Sequence, residues 1–325
     1  MTDRFVRSDV HGFLAYLDNV PGPRMHEMDA PAARQLFNAM KDVADLPVGE
    51  LAVIRDITIP GPAGDIPARL FDARETRAPG PVIAFYHGGG FVIGDIDTHA
   101  GFAAEMARIV DLPVVSVDYR LAPERPWPAA PDDCEAAARW IAGGPAALNR
   151  PATGLIVVGD SAGGNLAIVT AMALRDAPAA VPVIAQCPIY PATDASKPYP
   201  SYAEFADGFM LTKDSMDWFL AAYKGDPASL RSSPLLGDLT GMPPALVVTA
   251  SLDPIRDQGR TYAAALVAAG VPTVFREAKG MIHGFVTLRR AIPSAQGDTA
   301  GLLTALKTLI VEAEGERVLA QAAAA

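Results

Sequence analysis

Gly159-Asp160-Ser161-Ala162-Gly163 sets a serine between two glycines, directly after the apolar run Leu155-Ile156-Val157-Val158 and directly before a stretch with helical spacing. Strand, sharp turn and helix is the setting in which G-x-S-x-G exposes a serine hydroxyl as a nucleophile. The helix predicted from Ala162 aims its unpaired N–H groups and positive dipole end at Ser161. A hydroxyl attacks poorly without a base, and the base needs a carboxylate to orient it. Five histidines can be considered: His11, His26, His87, His99 and His283. His283 follows the last predicted strand, on the edge where strand C-termini gather, which favours it; His87 is its main competitor. Asp253 stands just past the apolar run of "ALVVTASLDP" and before a predicted helix, where an Asp also serves as an N-cap. Its fallback, Asp257, lies one helical turn further on. The order Ser161, Asp253, His283 is the nucleophile, acid, histidine succession of one class of serine hydrolases.

The run "FYHGGGFVIGD", residues 85–95, answers the next chemical need. Attack on an ester carbonyl puts negative charge on its oxygen, and backbone N–H groups approach that charge closely only where side chains are absent. Gly88 and Gly89 are the expected donors, with the N–H of Ala162 as a third and His87 holding the loop.

These residues must be carried by a scaffold. From about residue 51 short β-type runs alternate with longer Ala-rich helical stretches, the pattern of an α/β protein with a mostly parallel sheet covered by helices. Eight strands are predicted, the first two as an antiparallel edge and the middle ones buried on both faces. Helices are expected near 98–110, 129–143, 162–176, 254–270 and 298–315. Two stretches fall outside the alternation: the helical segment 1–46 and the insertion 199–224, rich in aromatic residues. Aromatic density of that kind serves either internal packing or a cover over a pocket.

Of the 325 residues 50% are hydrophobic and 20% charged, and the formal net charge is -10, so neither a nucleic acid nor an anionic membrane surface is an expected partner. The two cysteines, Cys134 and Cys187, make no metal spacing and no disulfide framework, which suits a reducing cytoplasm. The first thirty residues do not read as a secretory signal, and no apolar run is long enough to span a bilayer.

Taken together, "HGGGF" at 87–91, "DYRLAPE" at 118–124, "GDSAGGNLA" at 159–167, "DPIRDQG" at 253–259 and "HGF" at 283–285 resemble the hormone-sensitive-lipase-like esterases, the bacterial family IV carboxylesterases. The resemblance runs from about residue 50 to the end. It implies an α/β-hydrolase catalytic domain over 47–325 with a helical cap made of segment 1–46 and the insertion at 199–224. It also implies a Ser161, Asp253, His283 triad, an oxyanion hole at Gly88, Gly89 and Ala162, and no metal or cofactor. The activity implied is hydrolysis of short- to medium-chain esters of small molecules. An amidase or deacetylase with the same triad, or a binding protein on the same scaffold, are the alternatives. The side chains expected along the substrate pocket are Phe91, Tyr190, Phe205, Phe209, Met210 and Ile282. Homodimers are common in the family, and "DYRLAPE" is expected to be a structural loop with Arg120 and Glu124 paired to each other. Gln258 departs from the glutamate usual in "DPLRDEG".

Overall fold

The structure, a computed structural model, describes residues 4–324; residues 1–3 of the predicted cap segment and residue 325 of the predicted catalytic domain lie outside them. The apolar runs form β1 (Val53–Gly61), β2 (Gly64–Asp72), β3 (Gly80–Tyr86), β4 (Val114–Val117), β5 (Ala152–Asp160), β6 (Val183–Ile189), β7 (Ala245–Leu252) and β8 (Thr273–Ile282). They make one eight-stranded sheet in the order β1-β2-β4-β3-β5-β6-β7-β8. The β1–β2 and β2–β4 pairs are antiparallel, and every pair from β4–β3 to β7–β8 is parallel. The antiparallel edge is thus where the alternating sequences of β1 and β2 put it.

Because successive side chains on a strand point to opposite faces, each central strand feeds two cores. Leu155 and Val157 of β5 join one cluster with helices α4 (Ala129–Ala142), α5 (Ala162–Asp176) and α8 (Arg256–Ala268). Ile156 and Val158 join the other with α3 (Ala100–Val110) and α9 (Ala295–Ala324). Helices on both faces explain why these strands are uniformly apolar. The connections that leave β3, β5, β7 and β8 at their C-terminal ends therefore meet along one edge of the sheet.

The two stretches outside the alternation fold as helices. The first holds α1 (Ser8–Asn19) and α2 (Ala30–Ala44); the second holds α6 (Pro200–Glu204) and α7 (Lys213–Tyr223). They touch where the short turn Met25–Glu27 packs against α7. Asp29 caps α2 by accepting the Ala32 N–H, and Thr212 caps α7 by accepting that of Ser215. At its far end α2 is tied down by a buried ion pair: Arg289 donates to both oxygens of Asp45 at 2.7 and 2.8 Å, with both residues buried. No helix among the described residues is long and apolar enough to cross a membrane.

Removing one partner of a buried pair strands the other charge, which typically costs about 3–5 kcal/mol. Asp45→Ala is therefore expected to lower the unfolding midpoint in urea clearly below wild type. A midpoint within error of wild type would contradict the anchoring of α2 through this pair.

Candidate active site

Ser161 is the single residue between β5 and α5, and its backbone is strained, with φ 56° and ψ −117°. Such a conformation is rare for a residue with a side chain and persists only where the surroundings enforce it. Here the Ser161 N–H donates to Ile189 O at 2.8 Å, and its carbonyl accepts the Asn165 N–H at 3.1 Å. The flanking glycines make the turn sterically possible. A Cβ on Gly163 would overlap the Tyr86 carbonyl, and one on Gly159 the Gly163 carbonyl.

The turn lifts Ser161 Oγ to 2.8 Å from His283 Nε2, while His283 Nδ1 lies 2.7 Å from Asp253 Oδ2. With the Nδ1–H donated to a carboxylate, Nε2 is left as the acceptor for the serine proton. Asp253 is fully buried, and its second oxygen accepts the Ile255 N–H at 2.9 Å. The bond to Ile255 N–H closes the turn that leads into α8, whose N-cap is Ile255 itself, so Asp253 orients the histidine without capping the helix. The fallback Asp257 is occupied elsewhere: it pairs with Arg256 and accepts the Ser201 N–H at 3.0 Å.

The glycine loop is aimed from behind. A trans peptide points its C=O and N–H in opposite directions, so fixing a carbonyl fixes the next N–H. His87 Nδ1–H donates to Gly88 O at 2.7 Å, which turns the Gly89 N–H the other way. Gly89 O accepts the N–H groups of Val92 (3.0 Å) and Ile93 (2.9 Å), which turns out the Gly90 N–H. Among the described residues neither the Gly89 nor the Gly90 N–H has a protein acceptor, nor does that of Ala162 at the start of α5. Gly88 corrects the sequence expectation: its N–H is taken by Asp160 Oδ1 at 2.8 Å. Gly90 replaces it. Nothing in three consecutive glycines marks which two N–H groups stay free.

Two groups behind the loop set its electrostatics. Burial alone would raise the Asp160 carboxyl, but His99 beside it and the Gly88 N–H hold it below its usual value. His87, stacked on Tyr119 with ring centroids 4.3 Å apart, is pushed down to about 4 by burial and by neighbouring His99. It is a neutral donor, and its role is the structural one read from the sequence.

The expected pocket side chains separate. Phe209 and Met210 are part-exposed, and the Met210 methyl lies over Gly284, next to His283. Tyr190 is buried with its ring 4.6 Å from that of His283, and Phe91 is buried and stacked on Tyr223. Phe205 and Ile282 are corrections, and Tyr190 with them: at 1%, 0% and 1% exposed, all three belong to the core. Phe205 carries the guanidinium groups of Arg4 and Arg256 at 5.1 and 5.0 Å from its ring centre, and Ile282 pairs with Leu252 inside the sheet. Phe219, which sequence reasoning did not single out for the pocket, packs directly on Gly90.

The loop "DYRLAPE" is structural, but its pairing is also corrected. Arg120 binds Asp133 through two nitrogens at 2.7 and 2.8 Å, and Glu124 binds Arg34 of α2. Gln258 is buried; its side-chain oxygen accepts the N–H groups of Thr193 and Asp194, and its amide nitrogen donates to Tyr202. An amide supplies both an acceptor and a donor there, which an ionised glutamate could not.

Comparison with known proteins follows this geometry. A family model described as the alpha/beta hydrolase fold matches residues 83–287. The chain is 41% identical to the carboxylic ester hydrolase LipN of Mycobacterium tuberculosis over 78% of its length and 70% of that protein's. It is 37% identical to esterase LipI of the same organism, covering 91% of this chain and 94% of that one. A solved ester hydrolase from the metagenome of Lake Arreo, complexed with a bipyridine phosphonate derivative, superposes with a TM-score of 0.88 at 37% identity, covering 93% of this chain and 98% of that one.

Gly163→Ala puts a methyl against a backbone carbonyl that has no rotamer to escape into. A displacement of the nucleophile by about 1 Å costs on the order of 100-fold in rate, and a loss of at least that size in ester turnover is expected; near-normal turnover would contradict the steric account of the turn. The buried His87 gives a pH prediction. It titrates at 6.5 when exposed and at about 4 in the fold, so between these values the unfolded chain holds the extra proton and stability falls as pH drops. Thermal unfolding followed from pH 7 to pH 4 is expected to fall more steeply for wild type than for His87→Asn. Parallel curves would contradict a buried neutral His87.

Proposed function

This chain belongs to the hormone-sensitive-lipase-like carboxylesterases of the α/β-hydrolase fold, and from that premise we propose that it hydrolyses short- to medium-chain acyl esters through an acyl-enzyme on Ser161. The observation that carries the reading is the unbroken line Ser161 Oγ, His283 Nε2, His283 Nδ1, Asp253 Oδ2, with spacings of 2.8 and 2.7 Å at its two hydrogen bonds.

Ser161 Oγ attacks the ester carbonyl carbon as His283 Nε2 takes its proton. Asp253 holds the imidazole in the required tautomer and stabilises the imidazolium. The carbonyl oxygen, now an anion, receives the N–H groups of Gly89, Gly90 and Ala162, which need no reorientation because their carbonyl partners already fix them. Each such donor is worth about 10²–10³ in turnover. As the intermediate collapses, His283 gives its proton to the departing alkoxide and the alcohol leaves. Water then attacks the acyl carbon, its proton passes to His283 and on to Ser161 Oγ, and the acid is released.

Segment 1–46 and the insertion 199–224 form the cap in this reading. Contact between Met25–Glu27 and α7, and the approach of Phe219 to Gly90, support it. A phenyl ring that close to an oxyanion donor leaves little room around the carbonyl, which favours small acyl groups.

Hydrolysis of p-nitrophenyl esters from acetate to palmitate tests the proposal. Activity is expected to peak at short to medium chains. It is expected to fall by on the order of 10⁴-fold or more in Ser161→Ala and His283→Ala, since triad members act as a unit. Turnover retained in folded Ser161→Ala would overturn the assignment of the nucleophile. Faster cleavage of a matched amide than of its ester would move the substrate class to amides.

A further inference from the structure

Arg34, on α2, lies far from Ser161 in sequence and belongs to no motif, yet it makes four hydrogen bonds to the frame of the glycine loop. Its Nε donates to Val92 O at 2.7 Å. Its Nη2 donates to Ala122 O at 2.7 Å and to Glu124 Oε2 at 2.6 Å, and Nη1 to Glu124 Oε1 at 2.9 Å. The planar guanidinium thus joins three chain segments: α2, the glycine loop and the loop that follows Arg120. The Arg34 side chain is about a quarter exposed, and it holds the Glu124 carboxyl below its ordinary value.

Val92 is the residue whose N–H fixes Gly89 O, and that carbonyl belongs to the peptide that carries the Gly90 N–H. The Val92 carbonyl shares its peptide with the Ile93 N–H, which also donates to Gly89 O at 2.9 Å, so holding that carbonyl holds the aim of Gly90 one peptide removed. A second bond pins the next residue on: the Phe91 carbonyl accepts the Ala122 N–H at 2.9 Å, and Ala122 is itself an Arg34 acceptor. Four residues along α2 from Arg34, Asn38 donates to Asp95 Oδ2 at 2.7 Å, and Asp95 caps the turn to α3 through the Thr98 N–H. One face of α2 therefore grips the glycine loop at both ends of residues 92–95.

We propose that Arg34 is a positioning residue for the oxyanion hole: through Val92 it sets the direction of the Gly90 N–H, so that α2 acts as a brace for transition-state stabilisation as well as a cover. The proposal rests on the assignment of Gly90 as an oxyanion donor. Lysine cannot reproduce it, because one ammonium on a flexible stem does not span two carbonyls and a carboxylate in a fixed plane. The interaction acts on charge that develops only in the transition state, so its loss lowers kcat and leaves KM nearly unchanged.

The test is steady-state hydrolysis of p-nitrophenyl acetate by wild type, Arg34→Ala, Arg34→Lys and Ser161→Ala, with circular dichroism and thermal unfolding for each. Arg34→Ala is expected to lose about 10- to 100-fold in kcat with KM within about twofold of wild type. Affinity for a trifluoromethyl ketone, whose adduct carries the oxyanion, should fall by a similar factor. Millimolar guanidinium should restore part of the lost kcat in Arg34→Ala and none in Ser161→Ala. If Arg34→Ala does not fold, Arg34→Lys carries the same kcat and inhibitor comparison. Wild-type kcat in a folded Arg34 variant, or a change confined to KM, overturns the proposal while leaving the esterase reading intact. Full activity in Ser161→Ala would instead overturn Ser161 as the nucleophile, and no turnover by folded wild type would overturn the esterase reading itself.

Discussion

The planarity of the peptide bond is the constraint on which this site depends. In the oxyanion hole we propose, three backbone N–H groups have to point into one small volume without any of their acceptors lying there. That is possible only because the carbonyl on the far side of each peptide is held. His87 holds Gly88 O, Val92 and Ile93 hold Gly89 O, and the start of α5 leaves the Ala162 N–H without a helical partner. Everything outward from these three peptides keeps those carbonyls in place. Tyr119 stacks on His87 and donates to its carbonyl at 2.7 Å, and Asp160 takes the Gly88 N–H that would otherwise compete.

The same constraint explains why the glycines cannot be exchanged. A Cβ on Gly88 would stand 2.5 Å from Asp160 Oδ2, and one on Gly90 would overlap the Phe219 ring. The glycine loop is packed against β5, the helical insertion and α2 at once. The nucleophile turn obeys a parallel rule: Gly159 and Gly163 yield their side chains so that Ser161 can hold a φ of 56°. Strain there and close packing at the loop meet at the C-terminal edge of the sheet, where β3, β5, β7 and β8 end.

Part of this was legible in the sequence because local pattern and residue type carried it. Ser161, Asp253 and His283 each follow an apolar strand, and strand ends of a parallel sheet converge, so three distant residues could be expected in one place. That β1 and β2 form an antiparallel edge followed from their alternation. Other features depend on long-range contacts that leave no local trace. Which glycine N–H is free depends on Asp160, 72 residues away from Gly88. Arg34 reads as one more polar residue of an amphipathic helix, since two of its acceptors are backbone carbonyls, which any residue supplies. Glu124 found Arg34 rather than Arg120 because Asp133, on α4, already takes both arms of Arg120. Phe205 and Ile282 look like pocket residues by type and neighbourhood, yet side-chain direction puts them in the core.

The most direct measurement is a crystal structure of the protein after reaction with a small alkyl phosphonate ester, which leaves a tetrahedral phosphorus on the nucleophile with an oxygen where the oxyanion would form. The account requires phosphorus on Ser161 Oγ and that oxygen within hydrogen-bond distance, about 2.7–3.1 Å, of the N–H groups of Gly89, Gly90 and Ala162, with the Gly88 N–H still on Asp160. An oxygen that turns to Gly88 or to solvent, or phosphorus on another residue, would contradict it.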